Sequence, residues 1–283
     1  MVFFIKIFRK MREPQLGVAV GKKGVGKTFT TTKTIESYIR GNLAAGIKPR
    51  KVLILDVNDE FTQIKAIAIE DVPKFSVNNF VEARRIRPFK NNGKKMSLDE
   101  ITHTLSTILE TFRGGLLLVE DINRYISDSM PNDLIGAICT NRHANMDIIL
   151  HYQSIGRITP KVWQNLNWIR FHQNTESVQK HGKKFPDKEG IMSMAEFIVN
   201  EKVKQGDKRY FLFVDVDVMK IKGPNISQDL KEEAVINFLT MRSNYSQYVK
   251  QRVTRDKLTS ATKPKTEKEV FDIVKKELMT DFF

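Results

Sequence analysis

The sequence predicts an α/β fold: a mostly parallel sheet flanked by helices on both faces, followed by a helical C-terminal extension. Three observations point there. Short apolar runs alternate with helix-period segments up to about residue 175. Several of those runs are apolar throughout, as strands buried on both faces are. The first of them leads through a glycine-rich turn into a helix, an arrangement that has its own chemistry.

The elements follow in order. Val2 to Lys10 is apolar and then basic, without the basic-first order of a signal peptide, and residues 1–14 read as a strand or packing arm. Leu16-Gly17-Val18-Ala19-Val20 is a buried strand, and Phe29 to Ile39 a helix with Ile35, Tyr38 and Ile39 on one face. Lys51-Val52-Leu53-Ile54-Leu55-Asp56 is a second strand ending in an acid. Residues 75–95 are mixed and basic, with a turn at Asn91-Asn92-Gly93. Ser97 and Glu100 have capping-box spacing ahead of a helix carrying Ile101, Leu105, Ile108, Leu109 and Phe112, which Gly114-Gly115 stops. Leu116 to Val119 is a strand ending at Glu120-Asp121. A helix over Asp133–Cys139, a strand over Met146–Gln153 and a short strand over Trp168–His172 complete the alternation. Beyond it lie a helix over Met192–Lys204 and a strand over Lys208–Val218. The core is expected to span residues 15–224 and the extension 225–283. That extension reads as a polar helix or helix pair over Leu230–Leu258, a linker at 259–264 and an amphipathic helix from Glu267.

Gly21-Lys22-Lys23-Gly24-Val25-Gly26-Lys27-Thr28 fits the phosphate-loop pattern G-x-x-x-x-G-K-[ST] in strand–turn–helix context. Glycines let backbone N–H groups converge on an anion, and the helix start, from Phe29 on, adds unpaired N–H groups and its positive dipole end. Lys27 is expected at the β- and γ-phosphates and Thr28 at Mg²⁺, which makes ATP and Mg²⁺ the expected cofactors.

Composition bounds the remaining choices. At 283 residues, with 41% hydrophobic and 28% charged residues, the chain has the make-up of a globular protein with a sizeable core. A net charge of +14 and a pI near 9.7 favour a polyanionic partner, nucleic acid before an acidic membrane surface. Cys139 is the single cysteine, so an intramolecular disulfide and a cysteine-rich metal site are excluded, and the five scattered histidines lack zinc-ligand spacing. No run reaches the ~20 apolar residues of a membrane span.

Nucleotide hydrolysis needs a strand-borne carboxylate for Mg²⁺ and a group that activates or orients water. Glu120 and Asp121 stand at the end of an apolar strand. Strand alternation lets one of two neighbours face the metal. Glu120 toward Mg²⁺ with Asp121 toward the water is the first assignment, the exchanged roles the second. Gln153, ending another apolar strand, can bond a γ-phosphate oxygen or the water without changing charge. Basic clusters at Arg84-Arg85-Ile86-Arg87, Lys94-Lys95 and Lys183-Lys184 are candidates for sequence-independent contacts to DNA phosphates.

The order of phosphate loop, Leu53-Ile54-Leu55-Asp56-Val57-Asn58-Asp59-Glu60-Phe61, Leu117 to Asp121, Asn141 to Gln153 and Ile158-Thr159-Pro160 resembles the HerA/FtsK superfamily of DNA-pumping ATPases. Within it, the compact viral genome-packaging ATPases and the filamentous-phage assembly ATPases are similar in size. Asp56 and Glu60 match the family's D-x-x-x-E-[FY] pattern, and Gln153 its polar strand end. The resemblance covers residues 15–175 and departs from the family in the reversed Glu120-Asp121 pair, which leaves Glu60 a share in the base role. It implies a RecA-like P-loop NTPase core, Asp56 near the metal, and a homo-oligomeric ring, a hexamer first and a pentamer second. An arginine of one subunit, Arg142 or Arg170, then reaches the next subunit's nucleotide. It further implies DNA gripped by its backbone, a capsid vertex or portal as docking partner, and residence in the host cytoplasm or with the virion. The alternatives are a phage assembly or secretion ATPase, and a partitioning-type ATPase that moves no DNA.

Overall fold

The computed structural model describes residues 13–90, 92–122, 132–259 and 265–283. The expected N-terminal arm through residue 12, Asn91 of the expected turn and residues 260–264 of the expected linker lie outside the described residues.

Eight strands form one sheet: β1 Leu16–Val20, β2 Val52–Leu55, β3 Ala83–Ile86, β4 Leu116–Val119, β5 Asp147–Tyr152, β6 Trp168–His172, β7 Phe211–Asp215 and β8 Lys220–Lys222. Their spatial order is β3-β2-β4-β5-β1-β6-β7-β8. β1 to β6 are parallel, while β7 and β8 return antiparallel at one edge. The central runs Leu16–Val20, Val52–Leu55 and Leu116–Val119 are buried at every position, as their unbroken apolar sequence requires. The sheet is thus mostly parallel and flanked by helices, as the sequence predicts.

The helices are α1 Lys27–Arg40, α2 Val72–Val77, α3 Leu98–Thr111, α4 Asn132–Cys139, α5 Pro160–Asn165, α6 Glu189–Lys204 and α7 Gln228–Thr240. They continue as α8 Arg242–Asn244, a π turn Tyr245–Lys250, α9 Gln251–Thr259 and α10 Glu267–Phe282. The expected capping box forms on α3: Ser97 Oγ accepts from Glu100 N–H, and the Glu100 carboxylate accepts from Ser97 N–H at 2.8 Å. Strand alternation divides the core into two layers. On one face Ile35 of α1 packs with Ile54, Leu118, Ile149, Trp168 and Phe213. On the other, α3 and α6 lay Leu105, Ile108, Met194 and Ile198 against Leu53, Leu117, Ile148 and Ile169. Leu230, Phe238, Val270 and Val274 of the C-terminal helices belong to that same buried cluster.

Two elements depart from the expectation. β3 occupies part of the mixed, basic stretch 75–95, for which no strand is expected. Arg84 pairs with Glu82, Arg87 with Asp59, and Arg85, 6% exposed, with Asp56 and Asp59. Arg85 is thereby removed from the expected phosphate-binding cluster, while Arg87, Lys94, Lys95 and Lys183 remain exposed. The strand expected over Lys208–Val218 is shorter and is followed by the three-residue β8. No helix among the described residues is long and apolar enough to cross a membrane.

Candidate active site

The glycine-rich loop leaves the carboxyl end of β1, where open α/β sheets place their ligands. Its stem is pinned to both neighbouring strands: Gly21 N–H donates to Tyr152 O at 3.2 Å and Lys22 N–H to Gln173 O at 2.9 Å. Gly24 and Gly26 have φ of 84° and 87°, a left-handed conformation that side-chain-bearing residues adopt at a cost. Val25, 2% exposed, points into the core, while Lys23, Gly24, Gly26, Lys27, Thr28 and Phe29 line a cleft. Lys27 Nζ donates to the carbonyls of Gly21 and Lys22, which holds the ammonium across the loop. Burial lowers its pKa, and Asp121 opposes that shift.

β5 lies between β1 and β4, so the ends of β2, β4 and β5 bring their polar residues to one side of the loop. The Thr28 hydroxyl donates to Glu60 Oε2 at 2.8 Å. Asp121 Oδ2 accepts from Asn58 Nδ2 and from Gln153 Nε2, both at 2.8 Å. β4 ends at Val119 and Asp121 has φ 44°, so strand alternation does not extend to Glu120 and Asp121. Both carboxylates line the cleft, where alternation predicts one. Glu120 is 2% exposed; burial, with Glu60 and Asp56 beside it, pushes its pKa up to about 9.

Asp56 sits beside Glu120, as the resemblance implied, but does not itself line the cleft. It is fully buried; Oδ1 accepts from Glu60 N–H at 2.9 Å, while Oδ2 accepts from Phe61 N–H at 3.1 Å and Arg85 Nη1 at 2.8 Å. These bonds shape the Asp56–Phe61 turn that carries Glu60.

Beneath α1 runs a buried polar row. Ala19 is in register with His151 on β5 and with Arg170 on β6, so these side chains share one face of the sheet. Arg170 donates to Thr31 Oγ1 and, at 3.2 Å, to Lys27 O. Thr31 Oγ1 lies 2.8 Å from His151 Nε2. The arginine can only donate, so the threonine oxygen accepts from it, and the direction of the Thr31–His151 bond follows the imidazole tautomer. Burial, with Arg170 and Lys27 nearby, keeps His151 well below the usual histidine range and hence neutral. Arg170 itself is 0% exposed, and burial lowers it to about 9. This corrects its expected role: a guanidinium enclosed under its own α1 cannot reach a neighbouring subunit's nucleotide. Arg142 lies on the 3-10 turn Asn141–Ala144; its side chain is outside the described residues.

The cleft measures about 890 Å³. It brings together Lys23, Gly24, Gly26, Lys27, Thr28, Phe29, Glu60, Glu120, Asp121 and Gln153 from among the expected residues, and adds Asn58, His151 and Arg209. Asn58 carries a weak signal, an amide two residues past an apolar strand. Arg209 carries none, because only the antiparallel return of β7 brings it beside Gly26. No cluster of three His, Cys, Asp or Glu among the described residues is arranged to hold a metal ion. A divalent cation here would lean on Thr28, Glu120 and phosphate oxygens, which is how Mg²⁺ is ordinarily held.

No protein-family model and no curated protein sequence matches the chain. Solved structures match its fold. The genome packaging NTPase B204 from Sulfolobus turreted icosahedral virus 2, in complex with ATP-gammaS, is 18% identical over 75% of this chain and 97% of that chain, with a TM-score of 0.52. B204, the DNA-packaging ATPase from Sulfolobus turreted icosahedral virus, is 17% identical over 76% of this chain and all of that one, with a TM-score of 0.50. The chain therefore shares the fold of these two proteins.

Proposed function

We propose that the chain is an ATP hydrolase that drives DNA, packaging a viral genome into a capsid as a ring with nucleotide at its subunit interfaces. One observation carries the reading. Lys27 and Thr28 of a phosphate loop face Glu60, Glu120, Asp121 and Gln153 across a single cleft at the carboxyl ends of the parallel strands. Packaging enters through the fold shared with the two B204 proteins. The net charge of +14 supports a polyanionic partner.

The loop N–H groups and Lys27 bind and orient the phosphates. Mg²⁺, when bound, polarises the terminal phosphoryl group. Thr28 and Glu120 hold that end of the cleft. Asp121, fixed by Asn58 and Gln153, is oriented to take a proton from water. Gln153 bridges that carboxylate and the phosphate side, so loss of the terminal phosphate changes its partners. Arg142 is the arginine left to act between subunits, since Arg170 is enclosed. The ring, its docking to a capsid vertex or portal, and a place in the host cytoplasm or on the virion belong to this same reading.

The test is ATP turnover with and without duplex DNA, together with displacement of a triplex-forming strand from that duplex. DNA-stimulated hydrolysis with directional displacement is expected. Hydrolysis that ignores DNA and displaces nothing would sink the motor reading and favour a partitioning-type ATPase.

A further inference from the structure

The cleft has two chemically different ends. Asn58, Glu60, Glu120, Asp121 and Gln153 come from β2, β4 and β5, all on one side of β1 in the sheet. Arg209 enters from the other side, from the turn ahead of β7. Its side chain runs beside the loop, with Cγ 3.5 Å from where a Cβ on Gly26 would sit. Thr28 and Phe29 are adjacent on α1 and so project about 100° apart. Thr28 turns to Glu60. Phe29 turns to Arg209 and Lys33, with the Arg209 Cζ 6.0 Å and the Lys33 Nζ 4.6 Å from its ring centroid.

Phe29 is 55% exposed and is the one Phe, Tyr or Trp side chain lining the cleft among the described residues. A half-exposed phenyl ring in a polar cleft offers a π-face, and every nucleobase has a matching one. With the phosphates on the loop and the metal end at the acids, the rest of a bound nucleotide extends the opposite way. From this juxtaposition we infer that Phe29 and Arg209, flanked by Lys33, form the nucleobase subsite, and that it holds the base by its face and not by its edge.

The second clause follows from donor inventory. Arg209 and Lys33, the polar side chains against the Phe29 ring, donate and cannot accept. Adenine differs from guanine in carrying an exocyclic amine where guanine has a carbonyl, and reading that amine needs an acceptor. The subsite therefore accepts purine nucleoside triphosphates of either kind. This rests on the ATP-hydrolase reading above and deepens it.

The experiment measures binding of Mg·ATP, Mg·GTP and Mg·tripolyphosphate to the full chain by calorimetry, for the wild type, Phe29→Ala and Phe29→Trp. Expected are ATP and GTP affinities within about fivefold of each other in the wild type. Phe29→Ala should weaken both by about tenfold, in line with the loss of one base–aromatic stack. Tripolyphosphate affinity should stay within about twofold, and Phe29→Trp should retain nucleotide binding. The subsite is overturned if Phe29→Ala weakens tripolyphosphate as much as ATP, or leaves ATP unchanged. A preference for ATP over GTP beyond about a hundredfold overturns recognition by the base face. A wild type that binds none of the three overturns the hydrolase reading and the subsite with it, whereas tripolyphosphate binding with no effect of Phe29→Ala removes the subsite alone.

Discussion

Arg85 allows the sharpest test of how the site is held. It lies on β3, the sheet edge farthest from β7 and β8, yet its guanidinium joins Asp56 to Asp59. Asp56 in turn fixes the backbone of Glu60, whose carboxylate takes the Thr28 hydroxyl. Arg85→Met keeps the aliphatic volume and removes the charge, leaving Asp56, 0% exposed, without its cation. Removing one partner of a buried pair typically costs about 3–5 kcal/mol. Two backbone N–H groups still serve Asp56, and Arg87 still serves Asp59, so the lower end, about 3 kcal/mol, is expected. Urea unfolding reads this cost, and ATP turnover should fall with it as the Glu60 turn loosens. Asp56→Asn removes the stranded charge, so the double variant should recover at least about 1 kcal/mol relative to additivity. A loss below about 1 kcal/mol for Arg85→Met, or strict additivity in the cycle, would refute the reasoning. So would an unchanged stability with a shallower salt dependence of DNA binding, the signature of an arginine that contacts phosphate.

Three further outcomes are expected. Lys27→Ala should abolish turnover with the unfolding midpoint kept within the range of a surface change; wild-type ATPase activity in that variant would remove the phosphate-loop assignment. Glu120→Gln should stabilise the protein in EDTA at pH 8: a carboxyl raised to about 9 in the folded state contributes stability that is full below its unfolded value near 4.3 and lost as pH rises toward 9, at up to about 1.4 kcal/mol per unit. Urea midpoints between pH 5 and pH 8 should therefore fall for the wild type and stay flatter for the variant, and parallel curves would contradict the burial account. Mixing an Arg142→Ala protein with Lys27→Ala should restore part of the turnover if Arg142 acts across an interface, because intact half-sites then meet; no recovery in confirmed mixed assemblies would place it within its own subunit.

The sequence disclosed what local pattern can carry. β1, β2 and β4 are unbroken apolar runs, and the phosphate loop is one contiguous motif with its strand and helix attached. β3 was illegible because Arg84 and Arg85 fill half of a four-residue strand, and the acids that make Arg85 burial tolerable lie 26 and 29 residues away. Arg170 misled for a related reason. The resemblance marks an arginine in this strand without saying which way it faces, whereas register with Ala19 and His151 turns it beneath α1. Asp56 matched a pattern whose second acid, Glu60, is the one that reaches the cleft, while the first holds the turn.

Backbone geometry also explains why the reversed Glu120-Asp121 order can serve. In a continuing strand, neighbours point to opposite faces, and exchanging two acids would exchange their environments. Here the strand stops at Val119, and a left-handed residue follows two positions later. Glu120 is thereby kept among Asp56 and Glu60, where its charged form is disfavoured until a cation shares the site. Asp121 swings between the amides of Asn58 and Gln153, which pin its orientation. The two acids differ by what surrounds them more than by which comes first. Asp121→Gly, which tolerates the same φ, should then keep the fold while losing turnover. Asp121→Asn keeps the side-chain shape and one acceptor oxygen for the two amides, and should lose about 10²–10⁴ in rate if the carboxylate takes a proton from water. Near wild-type rates in both Asp121→Asn and Glu120→Gln would move the base to Glu60, the cleft carboxylate bonded to Thr28.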